Sequence, residues 1–235
     1  MRGSNNANTQ NYIHSVLLSF IPVSLIFITY LLINSFLYLI YSPGLFNYTM
    51  LILFLIIMIN IISYRILESI MQFKIYWRSA LLANFFLIGF MLTNQKSYEG
   101  MVPFGYYLMS LTFFHMSEFV FTALFNHSDI STDSFLLNHS FAYGIAAVSS
   151  WFEFFIELLI FPSMKKNLYF RLIGLFLVIG GEFFRKLAMY TAGTNFNHYV
   201  QENRQKDHVL VTNGVYKLIR HPSYFGWFYW SIGKL

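Results

Sequence analysis

The residues of this 235-residue chain best suited to chemistry gather in one polar stretch near its C-terminus, TAGTNFNHYVQENRQKDHVLVTNGVYKLIRHPSYFGWFYWSIG, residues 191–233. The local physics is that of a built pocket. His208, Val209, Leu210 and Val211 form a short β-prone run, Asn213-Gly214 is a turn signal, and Tyr216 to Arg220 has the length of about one helical turn. Pro222 holds His221 out of the helical region and leaves its carbonyl and ring free to face a ligand. Ser223 and Gly226 permit close backbone approach where the next helix begins. A helix starting over Pro222, Ser223 and Tyr224 presents unpaired N–H groups and a positive dipole end, which suits a carboxylate or a phosphate. A second reading stays open on these residues alone, a re-entrant amphipathic segment anchored by aromatic rings at headgroup level. They name no ligand.

Further ionisable residues sit inside otherwise apolar runs. His115 and Glu118 share a helix face at i, i+3, Glu153 and Glu157 at i, i+4, and Glu182 and Arg185 at i, i+3. Charges are costly in lipid, so these faces are expected to pack inward and either pair or line a pathway. Pairing is the expectation, with Glu182 and Arg185 compensating one another locally. A transporter would show inverted repeats and broken helices, and none is visible. His115 with Glu118 gives only half of a di-metal helix motif, and His127 with His139 adds no convincing second half, so no metal site is expected.

The elements that must position these groups follow from composition. The chain is 57% hydrophobic and 11% charged, too apolar for a soluble domain, and carries 28 Phe and 17 Tyr. It has no cysteine, which excludes disulfides, thiolate metal sites and cysteine nucleophiles. The net charge of +5 resides in short loops rather than on one basic face, so nucleic acid is not an expected partner; the lipid bilayer is. Counting apolar runs against the roughly 20 residues needed to span hydrocarbon predicts an all-α polytopic transmembrane bundle of about six complete spans. They fall near residues 16–40, 45–64, 79–93, 104–125, 140–161 and 168–192, with Ser42-Pro43-Gly44 breaking the first from the second and Pro22 tolerated near one end. An aromatic seventh segment, residues 224–232, is too short to cross. The division is thus a polar tail (1–12), a helical bundle (13–192) and a ligand-binding segment leading into a last helix (193–235).

Basic loop residues are retained on the cytoplasmic side. With six spans, Arg2, Arg65, Lys74, Arg78, Arg185, Lys186, Arg204, Lys206, Lys217 and Arg220 share one side, and Lys96, Lys165, Lys166 and Arg171 the other. The N-terminus and the segment after the sixth span are therefore expected in the cytosol. That orientation also argues against glycosylation at the Asn126 and Asn138 triplets, and Asn47 lies too near the membrane surface.

The pattern Leu210-Val211-Thr212-x-Gly214-x-Tyr216-x-x-x-Arg220-His221-Pro222-x-Tyr224-x-Gly226-x-x-x-Trp230 resembles the signature of the isoprenylcysteine carboxyl methyltransferase family. Ala192-Gly193-x-Asn195-Phe196-Asn197-His198 with Gln201 is similar to its eukaryotic members, and the likeness extends to His115–Glu118, to 136–140 and to Gly181-Glu182 through Arg185-Lys186. The resemblance implies methyl transfer from S-adenosylmethionine to the C-terminal carboxylate of prenylated cysteine in CaaX-processed proteins of the small GTPase type, at the endoplasmic-reticulum membrane. It implies cofactor contacts at Gln201, His208, Val209, Leu210, Val211, Tyr216, His221, Pro222, Ser223 and Tyr224, and a prenyl cavity between the membrane helices.

No catalytic residue is assigned within these 235 residues, since the family's carboxylate-holding arginine and a cofactor-binding glutamate lie beyond the matched pattern. Members continue after Trp-x-x-Gly with Thr-Gln, the rest of that helix and a final helix, whereas this sequence reads Gly233-Lys234-Leu235. The expectation is a C-terminally truncated member with little or no activity alone, because alignment of reactants can supply about 7 to 11 kcal/mol. Related phospholipid methyltransferases and NADPH-dependent sterol reductases share an Arg-His-Pro-x-Tyr-like core and form the alternative enzyme class. A non-catalytic membrane protein that binds prenylated tails is the other alternative.

Overall fold

The computed structural model describes residues 70–94, 96–126, 130–137, 140–198 and 209–234, together with 13–14 and 16–17. The predicted first two spans, Pro22 and the break at Ser42-Pro43-Gly44 lie outside the described residues, as do His127, Asn138, His139, Gln201 and His208. The described elements are helices and 3-10 turns. We number the helices α1 (Ile70–Thr93), α2 (Val102–Phe125), α3 (Phe141–Ile160), α4 (Pro162–Lys166), α5 (Leu168–Ala192) and α6 (Pro222–Gly233).

Helix limits follow local chemistry. Pro103 sits in the first turn of α2, where its missing N–H costs nothing, and the Asn126 backbone N–H closes the last turn on the Thr122 carbonyl at 2.9 Å. The Ser140 hydroxyl accepts the Tyr143 N–H at the head of α3, and the Asn167 side chain accepts the Tyr169 N–H at the head of α5. Gly193 ends α5 at φ +54°, a conformation that favours glycine. Three helices among the described residues are long and apolar enough to cross a membrane: 72–93, 99–125 and 141–160. α5 has the length of a span, with Arg171, Glu182, Arg185 and Lys186 along it.

The predicted third span is corrected at its start. The described helix already runs from Ile70, ahead of Ser79, so Lys74 and Arg78 belong to a helix and not to a loop. These two lie one turn apart toward the outside, while Ile75, Tyr76, Ser79 and Ala80 are buried on the other side. The long stems of Lys and Arg let a helix run on past the point where charge suggests an end. The limits of α2, α3 and α5 fall within two residues of expectation.

α1 and α2 pack as a hairpin over a core of Ile75, Leu82, Met116, Phe119 and Phe135, in which the Phe119 and Phe135 rings stack at 4.2 Å. α5 and α6 lie closest of all. The carbonyl of Gly181 would stand 2.4 Å from a Cβ added at Gly226, and the Gly226 carbonyl 2.5 Å from one added at Gly181. Small residues that let backbones meet are how helices associate where lipid removes the hydrophobic drive. Trp230 closes the seam against α2, stacked on Phe114 at 4.2 Å and 1% exposed.

α3 behaves differently. Phe154 is its one buried residue, and Glu153 is exposed, so the expectation that Glu153 and Glu157 pack inward is corrected. Glu157 instead pairs with Lys165 at the end of the bundle. An apolar face in lipid needs no protein partner, and a carboxylate near a helix end needs only a nearby cation.

Candidate functional site

α2, α5, the segment after α5 and the start of α6 meet at one end of the bundle around Glu118. This carboxylate is fully buried and accepts a forked pair from Arg185, Nε at 2.6 Å and Nη2 at 2.8 Å, and a third bond from Lys186 Nζ at 2.5 Å. Lys186 also reaches Glu182 Oε1 at 3.2 Å, which in turn accepts the Ser117 hydroxyl at 2.7 Å. Two carboxylates therefore face two cations, the condition under which buried charge is tolerated. His198 joins from the segment after α5, with Nδ1 3.4 Å from Glu118 Oε2 and Nε2 sharing a hydrogen bond with Thr122 Oγ at 3.0 Å. The predicted local compensation of Glu182 by Arg185 is corrected: Lys186, at i, i+4, is the cation on Glu182, and Arg185 crosses to another helix.

His115, predicted on the Glu118 face, has a different task. Its Nδ1 lies 2.8 Å from the Phe135 carbonyl and its Nε2 3.0 Å from the Tyr143 hydroxyl, which ties α3 and the 130–137 loop to α2. Among the described residues, no three of His, Asp, Glu or Cys come together as a metal would require.

Arg185 also reaches the polar segment. Nη1 donates to the Ser223 hydroxyl at 2.9 Å, in the first turn of α6. Pro222 is buried against the bundle, whereas His221 and Tyr224 stand exposed, their rings 6.3 Å apart. His221 adopts φ −129°, ψ 65°, outside the helical region as expected, and gives α6 no side-chain cap, while its carbonyl accepts the Phe225 N–H at 3.0 Å. The predicted β-prone run is corrected: Val209 to Val211 is irregular, since no described strand lies beside it to pair with. It is held instead by the Val209 N–H donating to Asn195 Oδ1 at 2.8 Å. The predicted helical turn is a 3-10 turn, Gly214–Lys217, that begins two residues earlier than expected, at φ +53° on Gly214. Burial pushes the Tyr216 phenol pKa up, and the nearby Arg185 charge opposes that rise.

A model of the isoprenylcysteine carboxyl methyltransferase family matches residues 172–235. Protein-S-isoprenylcysteine O-methyltransferases from Xenopus laevis and Homo sapiens are 50% and 48% identical, over 161 and 163 residues, or 68% and 69% of this chain. A solved structure of a eukaryotic intramembrane Ras methyltransferase, an isoprenylcysteine carboxyl methyltransferase, superposes with a TM-score of 0.84 at 40% identity, over 94% of this chain and 77% of its own. The chain belongs to the isoprenylcysteine carboxyl methyltransferase family. It spans about half the length of the curated relatives it matches, 55% of the Xenopus protein and 56% of the human one.

Of the predicted site residues, Tyr216 lies on the 3-10 turn that packs against α5, Pro222, Ser223 and Tyr224 lie in the first turn of α6 with His221 just before it, and Val209, Leu210 and Val211 precede the 3-10 turn. Val209, Leu210, His221 and Tyr224 are exposed, Val211, Tyr216 and Ser223 are half-buried, and Pro222 is buried. Sequence reasoning missed Ser117, Thr122, Tyr143 and the carboxylate role of Lys186. Only the last had a signal, the i, i+4 spacing from Glu182.

The start of α6 is a positive dipole end, which favours a carboxylate or a phosphate, and the exposed His221 and Tyr224 rings stand beside it. Val209 and Leu210 add exposed apolar surface on the same polar segment. A cavity of about 350 Å³ between α2, α5 and α6, lined by Tyr106, Arg171, Ile232 and Lys234 among others, lies at the opposite end of the bundle and holds none of the predicted site residues.

Proposed function

We propose that this chain carries the cofactor-binding part of an enzyme that methylates the C-terminal carboxylate of prenylated cysteine in CaaX-processed proteins of the small GTPase type. The observation that carries the reading is that the family match, residues 172–235, covers nearly all of α5 and all of α6, the pair that holds the His221-Pro222 corner. Bound S-adenosylmethionine would supply an electrophilic methyl group on sulfur. The residues proposed to hold it are Gln201, His208, Val209, Leu210, Val211, Tyr216, His221, Pro222, Ser223 and Tyr224.

The acceptor needs no general base. An α-carboxyl group has a pKa of about 3.3 to 3.7, so it is already ionised at neutral pH. What the protein contributes is placement and removal of water. In this reading, residues 1–12 form a tail and 13–192 a bundle whose helices admit the prenyl chain from the bilayer, while 193–235 face the cytosol at the endoplasmic-reticulum membrane. This orientation requires α2 and α5 to end on one side, where α6 begins, and the contacts of Glu118 with Arg185 and of Arg185 with Ser223 support that.

The test is transfer of labelled methyl from S-adenosylmethionine to N-acetyl-S-farnesylcysteine by the detergent-solubilised protein, with the unprenylated amino acid as control. Esterification of the farnesylated acceptor alone is the expected result. Absence of transfer, with NADPH-dependent reduction of a sterol instead, would overturn it.

A further inference from the structure

We propose that Glu118 is a positioning residue, one that acts through the Arg185 guanidinium on Ser223 and so fixes the His221-Pro222 corner from which α6 departs. The inference rests on the proposed function, since it assigns that corner to cofactor binding. Three observations carry it.

The first is that α6 lacks a cap of its own. His221 makes no side-chain bond to the first turn, and Arg185 reaches that turn with a hydrogen bond to Ser223 at 2.9 Å. The second is how the guanidinium is aimed. Nε and Nη2 are both committed to Glu118, which locks the plane of the group, and the geometry of the fork then dictates where Nη1 points. Lysine could balance the charge but not transmit an orientation, and Lys186 already meets Glu118. The third is proximity. A Cβ added at Gly226 would lie 2.6 Å from the Arg185 backbone nitrogen, so the two backbones meet one turn from the contact and leave the corner within reach. Glu118 also draws in His198, so one buried carboxylate touches both the segment that leaves α5 and, at one remove, the segment that starts α6.

A purely structural pair would serve stability and leave cofactor affinity alone; a positioning chain couples the two. The experiment is a double-mutant cycle on the dissociation constant of S-adenosylhomocysteine, read by calorimetry on the detergent-solubilised protein beside its thermal midpoint. Arg185→Lys and Ser223→Ala should each weaken binding by roughly 10-fold, the scale of one lost hydrogen bond to a charged group. The double variant should be no weaker than the worse single variant, because both remove one link. Glu118→Gln, which keeps the shape of the side chain but weakens its hold on the guanidinium, should weaken binding without adding to the loss in Ser223→Ala, and keeps the proposal testable if Arg185→Lys does not fold. Additive losses, or unchanged affinity in Glu118→Gln or in Ser223→Ala, would each overturn the positioning role. If the parent protein binds no S-adenosylhomocysteine at all, it is the proposed function that fails, and this chain of contacts is left without a cofactor to position.

Discussion

α3 and α6 are both apolar and rich in aromatic residues, yet they sit in opposite environments. α6 buries Pro222, Gly226 and Trp230 against its neighbours, and its backbone meets that of α5 at Gly181. α3 buries Phe154 and presents Phe152 and Leu159 outward, the latter 83% exposed. Each region also has a buried or half-buried carboxylate with a cation, but Glu118 holds two cations and is fully enclosed, whereas Glu157 meets Lys165 at the periphery with a third of its side chain open. Hydrophobicity does not decide burial when the solvent is lipid. Small residues that let backbones approach, and polar groups that must find partners, decide it.

The contrast can be broken most sharply at the carboxylates. Glu118→Ala should cost about 3 to 5 kcal/mol, because Arg185 and Lys186 would stay buried with one carboxylate between them. Thermal or denaturant unfolding in detergent micelles would measure it, and a loss below about 1 kcal/mol, the size typical of an exposed pair, would mean that the cluster is not the anchor described.

Next come the glycines. Gly181→Ala should cost about 1 to 3 kcal/mol, since its new methyl would meet backbone atoms of α6 at 2.5 Å. Gly180, its neighbour in sequence, has open space around a Cβ, as does Gly144 in α3, so alanine there should be neutral or gain up to about 1 kcal/mol of helix propensity. Equal effects at Gly180 and Gly181 would remove the close-packed seam from the account.

Smaller again is Glu157→Gln, expected to lower stability by no more than about 1 kcal/mol, the usual limit for a partly exposed pair. Parity with Glu118→Ala would erase the difference between the two regions. Smallest is Leu159→Ala on the outer face of α3, within about 0.5 kcal/mol in the same unfolding measurement. A loss above about 2 kcal/mol would show that this face is packed in the protein and not lipid-facing.

Particular residues show how far the sequence was readable. α5 was legible residue for residue at 168–192, because Asn167 and Gly193 are strong start and stop signals on a run of the right length. The start of α1 was not, because Lys74 and Arg78 read as loop charges and only their shared outward side shows otherwise. The His221-Pro222 corner was legible, since proline restricts the residue before it whatever the surroundings. The Glu118 fork to Arg185 was legible only as two separate intramembrane charges. Their spacing within each helix could suggest a partner on the same helix, and 67 positions separate the real ones.

By itself, then, the sequence determined the membrane character, the limits of α2, α3 and α5 within two residues, and the family, because length, polarity and motif order are properties of the chain alone. Tertiary structure alone decided which carboxylate answers Arg185, which helix faces lipid, and that the α6 corner is held from α2 through Ser223. Those depend on rotation of one helix against another, which the apolar period cannot set where lipid and protein are equally good neighbours for a leucine.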